Sequence, residues 1–463
     1  MTEVAVIGAG CAGLSAATAL AAAGCRVALV EARPMCGGRT FATRDRVTGD
    51  WVDNGQHALF GCYHETLDYL TRIGTSGATR VQSALAAPMV RPDGHATELR
   101  CPALPSPLHL AAGVLAWDAL PWRERLAVRH LAPALAPHAP APPPAETVRE
   151  WLVRHRQPAG LVDLLWEPLA VAALNQSIDQ ATAGTFVEVI RRMLGGGPDD
   201  AAIVLPVVSL SELLVDPALA LLARAGADVH CGAPARLLVT DGGVDGVRVR
   251  DRRIQARVVV SAVPWHALAA LFDEVPAPVR DVVRDASAMG SAPIATVNLW
   301  FDRDVIETPF LGLPGRRFQW VFDKARLAAG GARHLSLVCS GAEEVVGLTN
   351  DAMIDLARTE LAAAVPAAAR ARLQRATAVR ERRATFSLAA GQPSRPGTHT
   401  GLPGLLLAGD WTDTGLPATI EGAVASGHRA AAAALAVLRG REHGRAGASD
   451  RTAGTGPGPA QER

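Results

Sequence analysis

Apolar residues come in short blocks along this chain, and the first block is the most informative. EVAVIGAG, Glu3 to Gly10, is an apolar run that ends in a glycine turn. CAGLSAATALAAAG, Cys11 to Gly24, follows with small and apolar residues at helical spacing, and CRVALVEA, Cys25 to Ala32, supplies a second apolar run. The pattern predicts strand, turn, helix and strand, with the acid Glu31 closing the second strand. Near the other end, Gly404 to Leu438 repeats the theme: LLLAG reads as a strand, and GLPATIEGAVASGHRAA as a helix with small residues on its packing face.

Between these ends the period changes. Ser83 to Pro102 alternates as strands around a turn at Pro92 to Gly94. Leu104 to Leu174 is helical and carries Trp117, Trp122, Trp151 and Trp166. Prolines from Pro133 to Pro144 end one helix, and Glu146 or Thr147 opens the next. LVDLLWEPLAVAAL, Leu161 to Leu174, is apolar except for Asp163 and Glu167, and reads as a helix pair interrupted before Pro168. Ala227 to Pro264 predicts short strands around Asp241 to Gly243; further strands are expected at Pro293 to Trp300, Arg316 to Phe322 and His334 to Ser340. Residues 441–463 have little apolar content and are expected to be disordered.

Composition narrows the class. Hydrophobic residues make up 49% of 463 and charged residues 20%, a globular balance. The formal charge of +1 gives no footprint for nucleic acid. Seven cysteines without a CxxC pair argue against a zinc ribbon or a disulfide scaffold, and for a reducing compartment. The first strand begins almost at Met1, so a cytoplasmic chain is expected. No clean apolar run of about 20 residues is visible. The apolar, arginine-flanked segment Leu104 to Leu131 is instead a candidate for peripheral contact with the inner face of the cytoplasmic membrane, or simply core.

The N-terminal unit has the spacing of a dinucleotide site. Gly8 permits the tight turn, Gly10 lets backbone approach a pyrophosphate, and Gly13 lets the helix lie close on the strand. The phosphates then meet the helix N-terminus beside Ala12. Glu31, followed by Ala32, is placed to bind ribose hydroxyls, which favours FAD or NAD over NADP. Just beyond, Gly37, Gly38 and Arg39 offer bare backbone and a phosphate-pairing cation.

ARPMCGGRTFA resembles the GG-containing motif of flavoproteins of the amine oxidase and phytoene desaturase superfamily, and the Gly404 to Leu438 stretch resembles that superfamily's last FAD-binding motif. The resemblance implies FAD as cofactor. Gly409 and Asp410 would meet its ribityl–phosphate part, Pro417, Ala418 and Thr419 would face the flavin, and Val229 would make a backbone contact to the adenine half. It also implies an α/β fold: a Rossmann-like FAD-binding domain of the glutathione reductase/amine oxidase type with an inserted mixed-sheet and helical substrate-binding domain. The FAD part would comprise residues 1–80, 201–290 and 395–438, and the substrate part 81–200 and 291–394.

Three strings narrow the resemblance: DNGQHALFGCYHETLDYLTRIG from Asp53, WEPLAVAALN from Trp166, and LLLAGDWTDTGLPATIEGAVASG from Leu405. They are similar to the hydroxysqualene dehydroxylases, squalene-associated flavoproteins that reduce hydroxysqualene to squalene in hopanoid biosynthesis. Such a member would bind a hydrophobic C30 isoprenoid in an apolar cavity. Nothing in the sequence identifies its electron donor. A carotenoid desaturase or an amine oxidase remains an alternative, the latter disfavoured by only two tyrosines. So does a non-catalytic lipid escort of the same fold. The acid that helps the hydroxyl leave has four candidates, Asp53, His57, Glu167 and Asp179. Alternatively Asp53, Asn54, Gly55, Gln56 and His57 only line the flavin and transfer no proton. His57, Cys62 and His64 lack metal-ligand spacing, so no metal is expected.

Overall fold

Val4–Ile7 is buried at every position because it runs through the middle of a five-stranded parallel sheet. The strand order is Asp228–His230, Val27–Val30, Val4–Ile7, Val258–Ser261 and Leu405–Leu407, with Val4 opposite both Val27 and Val258. The computed structural model describes residues 2–136, 138–328 and 333–452. Helix Cys11–Ala22 lies against the sheet and against the long final helix Ile420–Thr452. Small residues allow this: a Cβ at Gly427 would sit 2.0 Å from Ser15 Oγ and 2.2 Å from the Ala12 carbonyl oxygen. Ser15 Oγ donates to the Val424 carbonyl at 3.0 Å, fastening the two helices.

A second, mixed sheet of seven strands is built from residues between those of the first. Its order is Leu373–Phe386, Ser291–Phe301, His334–Ser340, Trp320–Asp323, Phe310–Gly312, Ala86–Val90 and Ala96–Arg100. Its registers align Thr296, Val338, Trp320, Gly312, Met89 and Thr97 in one row across six strands. Directly opposed residues share a face. At about 4.8 Å between strands, the row spans roughly 24 Å.

Helices from residues 108–195 cover this face. Thr147 caps Val148–Arg154 with a reciprocal box to Glu150, as one of the two expected openings. At Pro168 the expected interruption does not occur. Ala159–Leu161, a π turn at Val162–Trp166 and Glu167–Leu174 run on as one rod. The wider turn shifts the hydrogen-bond pattern, so the missing Pro168 N–H leaves no break. The expected disordered tail also differs in part: the last helix continues through Thr452, with no proline before Pro457 to stop it. Residues 453–463 lie outside the described residues.

Candidate active site

The glycine turn is tight in the way its spacing predicts. Gly8 has φ +101°, and a Cβ there would meet the Ala262 carbonyl oxygen at 2.7 Å. A Cβ on Gly13 would come within 1.8 Å of the Gly8 carbonyl oxygen, so helix and turn are in backbone contact. Gly10 is different: a Cβ there would meet only the Cα of Gly38, at 3.8 Å. Open space above Gly10, a helix N-terminus with no side-chain cap, and paired Gly37 and Gly38 alongside make a cradle for a pyrophosphate. Glu31 is buried at the end of its strand and accepts from the backbone N–H of Ala9 and of Arg33, both at 2.8 Å. Ala32 is exposed beside it, and Val229 lies on the neighbouring edge strand, opposite Leu29.

The two ends of the chain meet at Arg39. Its guanidinium donates to Asp410 Oδ1 and to the Ala384 carbonyl oxygen, each at 2.6 Å. Asp410 is buried and follows Gly409 off the strand Leu405–Leu407. Pro417 to Thr419 lead into the final helix, with Thr419 Oγ1 accepting from the Gly422 N–H at 3.0 Å. Ser261 Oγ and Thr296 Oγ1 are buried and meet no protein partner. Ser261 ends the strand beside Val4–Ile7, and Thr296 is the nearest side chain to a Cβ placed on Gly55, at 3.7 Å. The donor set, the open cradle and these orphan hydroxyls fit FAD along the carboxyl ends of the parallel strands.

Asp53 to His57 leaves a short strand and turns toward the second sheet. Asp53 is buried. Its Oδ1 accepts from the Leu210 N–H at 2.8 Å, and its Oδ2 from Lys324 Nζ at 2.8 Å. Both oxygens accept, the arrangement of a carboxylate held in place rather than of an acid offering a proton. Asn54 Nδ2 donates to the Arg39 carbonyl at 3.1 Å. His57 Nδ1 bonds the Gly55 carbonyl at 2.7 Å, so Nδ1 carries the hydrogen. Burial pushes the His57 pKa below its ordinary value, against the pull of that carbonyl, and the ring is neutral at pH 7.

Glu167 and Asp179 lie elsewhere. Asp179 is exposed and pairs with Arg149. That hydrogen bond is the main reason its pKa falls below the usual carboxylate range. Glu167 is half-buried, with its pKa raised by burial and eased by Arg149. Leu164, Leu165, Trp166, Pro168 and Leu169 line the cavity described next, and Glu167 does not. The helix rod turns its acid toward Arg149 and its apolar residues inward.

The cavity lies over the aligned row of the seven-stranded sheet. Gln56 borders it at one end, and Leu99 and His109 belong to the far edge. Phe60, Tyr63, Trp166, Phe310, Trp320 and Phe322 contribute aromatic surface. Among the described residues its lining contains no Asp, Glu, Lys or Arg. His109 is buried with neither ring nitrogen reaching a protein partner, and burial lowers its pKa. No group of three His, Cys, Asp or Glu side chains among the described residues is placed to hold a metal ion.

Sequence reasoning passes over Lys324 and His109. His109 sits in an apolar helix without a motif around it. Lys324 did carry a signal: it is the single lysine of the chain, among 46 basic residues.

Comparison with known proteins agrees with this geometry. The profile of the family described as flavin containing amine oxidoreductase matches residues 11–435. The chain is 30% identical to a hydroxysqualene dehydroxylase of Sinorhizobium fredii (strain NBRC 101917 / NGR234) and 32% identical to one of Rhodopseudomonas palustris (strain ATCC BAA-98 / CGA009). Each alignment covers 94% of this chain and 98% of the relative. Among solved structures, an oxidoreductase from Methanosarcina mazei superposes with a TM-score of 0.71 at 18% identity, over 92% of this chain and 99% of that one, a likeness of fold.

Proposed function

Because the chain belongs to the flavin containing amine oxidoreductase family, and stands within it beside the hydroxysqualene dehydroxylases, we propose that it reduces hydroxysqualene to squalene. It is an FAD-dependent oxidoreductase. The observation that carries the substrate assignment is the cavity: apolar, aromatic, lined by no charged side chain among the described residues, and bordered by Gln56, two residues after Asn54, which bonds the Arg39 carbonyl next to Gly38. Each buried methylene of an isoprenoid gains about 0.8 kcal/mol there, whereas an ammonium or a diphosphate would enter without a counter-ion.

In the reaction a C–O bond breaks, a C–H bond forms, and the hydroxyl leaves with a proton as water. FAD in its two-electron reduced form, FADH2, would supply both the hydride and the proton when bound. The chain's own residues bind, orient and exclude water. Gly8, Gly10 and Gly13 would seat the pyrophosphate, and the Arg39–Asp410 pair would hold the wall beside the ribityl part. The aromatic faces along the cavity favour positive charge developing on the substrate carbon, and its apolar walls keep water from capturing it. Asp53 accepts through both carboxylate oxygens, from Leu210 and Lys324, and His57 spends its one N–H on the Gly55 carbonyl, so we read neither as offering a proton.

We place the protein at a membrane surface as a peripheral protein. Leu108, Leu115 and Trp122 are exposed on the outer side of the segment whose His109 and Leu110 line the cavity, and Arg123 lies over the Trp122 ring. No helix among the described residues is long and apolar enough to cross a membrane.

The activity is tested by anaerobic incubation of the FAD-loaded protein, chemically reduced, with hydroxysqualene. Squalene should appear in step with flavin oxidation. Hydroxysqualene recovered unchanged, together with reduction of oxidised FAD by phytoene or an amine, would overturn the assignment.

A further inference from the structure

Lys324 opens a short helix, Lys324–Leu327, at the end of a strand of the seven-stranded sheet. Its side chain is 15% exposed. Nζ donates to Asp53 Oδ2 at 2.8 Å and to Gln56 Oε1 at 2.7 Å. Asp53 is itself fixed through Oδ1 by the Leu210 N–H. A backbone amide, a carboxylate, an ammonium and a primary amide thus form one chain that ends at the cavity, because Gln56 lines it.

The chemistry of that chain has a direction. An ammonium donates and never accepts, so the Gln56 atom facing it must be the carbonyl oxygen. The amide cannot turn over without placing its NH2 against the ammonium. Its donor end therefore faces away from Lys324. Nε2 makes one long contact of 3.3 Å to the His57 carbonyl, which leaves its second hydrogen uncommitted. Without the lysine, oxygen and NH2 would exchange freely and the site would have no fixed polarity.

We propose that Lys324 makes Gln56 a fixed hydrogen-bond donor to an uncharged oxygen on the ligand, in hydroxysqualene the hydroxyl that departs. Lys324 is then a positioning residue and Gln56 the contact. The site discriminates alcohol from hydrocarbon: the substrate brings an acceptor for the Gln56 N–H, and squalene does not. In naming the alcohol this rests on the activity proposed above.

The test uses full-length protein with oxidised FAD bound, titrated with hydroxysqualene and with squalene while flavin fluorescence is followed. Wild type should bind the alcohol about 3- to 10-fold more tightly, the range expected for one net hydrogen bond. Lys324→Met frees the amide to present either end, and because a hydroxyl both donates and accepts, the ratio should fall by no more than about 2-fold. Gln56→Leu keeps the Asp53–Lys324 pair but removes the donor, and should bring the ratio close to one. Lys324→Arg, still donor-only, should keep the preference. A wild type with no preference, or a preference that survives in Gln56→Leu, overturns the proposal. If Lys324→Met fails to fold because Asp53 loses its partner, Gln56→Leu and Lys324→Arg decide the matter. Turnover is read separately. Wild type that prefers the alcohol but does not convert it counts against the activity alone, and conversion with an unchanged ratio in Gln56→Leu counts against this donor alone.

Discussion

Adding one methyl group at Gly13 should uncouple the protein from its cofactor. The Cβ of Gly13→Ala would lie 1.8 Å from the Gly8 carbonyl oxygen and 2.9 Å from its carbon. A tolerable contact is about 3.2 Å, so the helix would have to retreat by roughly 1.4 Å. It has little slack, because at its flank the backbone of Ala12 and the side chain of Ser15 are already pressed against Gly427. Overpacking of this kind costs about 1–3 kcal/mol. The cost to FAD is larger, since N–H groups displaced by more than 1 Å no longer reach a phosphate. Losing two charge-assisted hydrogen bonds would cost at least about 3 kcal/mol, or more than 100-fold in Kd. The assay is the flavin-to-protein absorbance ratio after desalting, followed by titration of apoprotein with FAD. Gly184→Ala is the control, because a Cβ there meets nothing within 4 Å. A Gly13→Ala protein that keeps FAD with wild-type affinity and melts with the Gly184 variant would refute the close-packing argument.

Four further outcomes follow from the structure. Arg39→Ala leaves Asp410 buried without its cation and should destabilise by about 2–3 kcal/mol in urea unfolding, with loss of FAD; a change below about 0.5 kcal/mol would contradict it. His334 is buried and stacked on Trp300, and burial lowers its pKa to about 3. As pH falls below about 6.5 the unfolded chain takes up a proton that the folded chain refuses, so stability drops by up to about 1.4 kcal/mol per pH unit until pH nears 3. His334→Gln should flatten that slope relative to wild type between pH 6.5 and 5, and an unchanged slope would refute the assignment. His109→Phe replaces two buried nitrogens that lack protein partners and should raise the urea midpoint, by about 1–2 kcal/mol in stability; a lowered midpoint would show that the ring is satisfied. Leu115→Ser with Trp122→Ser should abolish co-sedimentation with vesicles containing anionic lipid, and a wild type that does not sediment with them would remove the membrane contact.

The parts of the site visible in the sequence are those whose function is local. Gly8, Gly10 and Gly13 lie within six residues, and their spacing alone marks the turn, although the neighbours of Gly8 and Gly10, Ala262 and Gly38, come from elsewhere in the chain. Gly409, Asp410 and the helix after them are legible for the same reason. Contacts between distant residues are not. Lys324 and Asp53 are 271 positions apart, and nothing near either one announces the pair. Asp179, a candidate acid by residue type, is the other kind of case. It lies in the loop after the helix rod and pairs outward with Arg149, while Asn175 stays buried, bonded to Thr385 at 3.0 Å. Pro168 misled for a related reason: a proline in an apolar helix reads as a break unless the turn before it is known to be wide.

The first sheet has a consequence for how the protein is made. Its central strand is synthesised within the first ten residues, yet the Arg39–Asp410 pair closes only across 371 positions, and the edge strand Leu405–Leu407 joins Val259–Ser261 just before it. At about 5–20 residues per second, a ribosome needs roughly 20–75 seconds to bridge that interval. Throughout it the sheet lacks its Leu405–Leu407 edge, and helix Cys11–Ala22 lacks the final helix that packs against it. The emerging chain is therefore a client for chaperones until its last tenth appears, and a chain cut short before residue 405 yields no flavoprotein however intact its glycine turn.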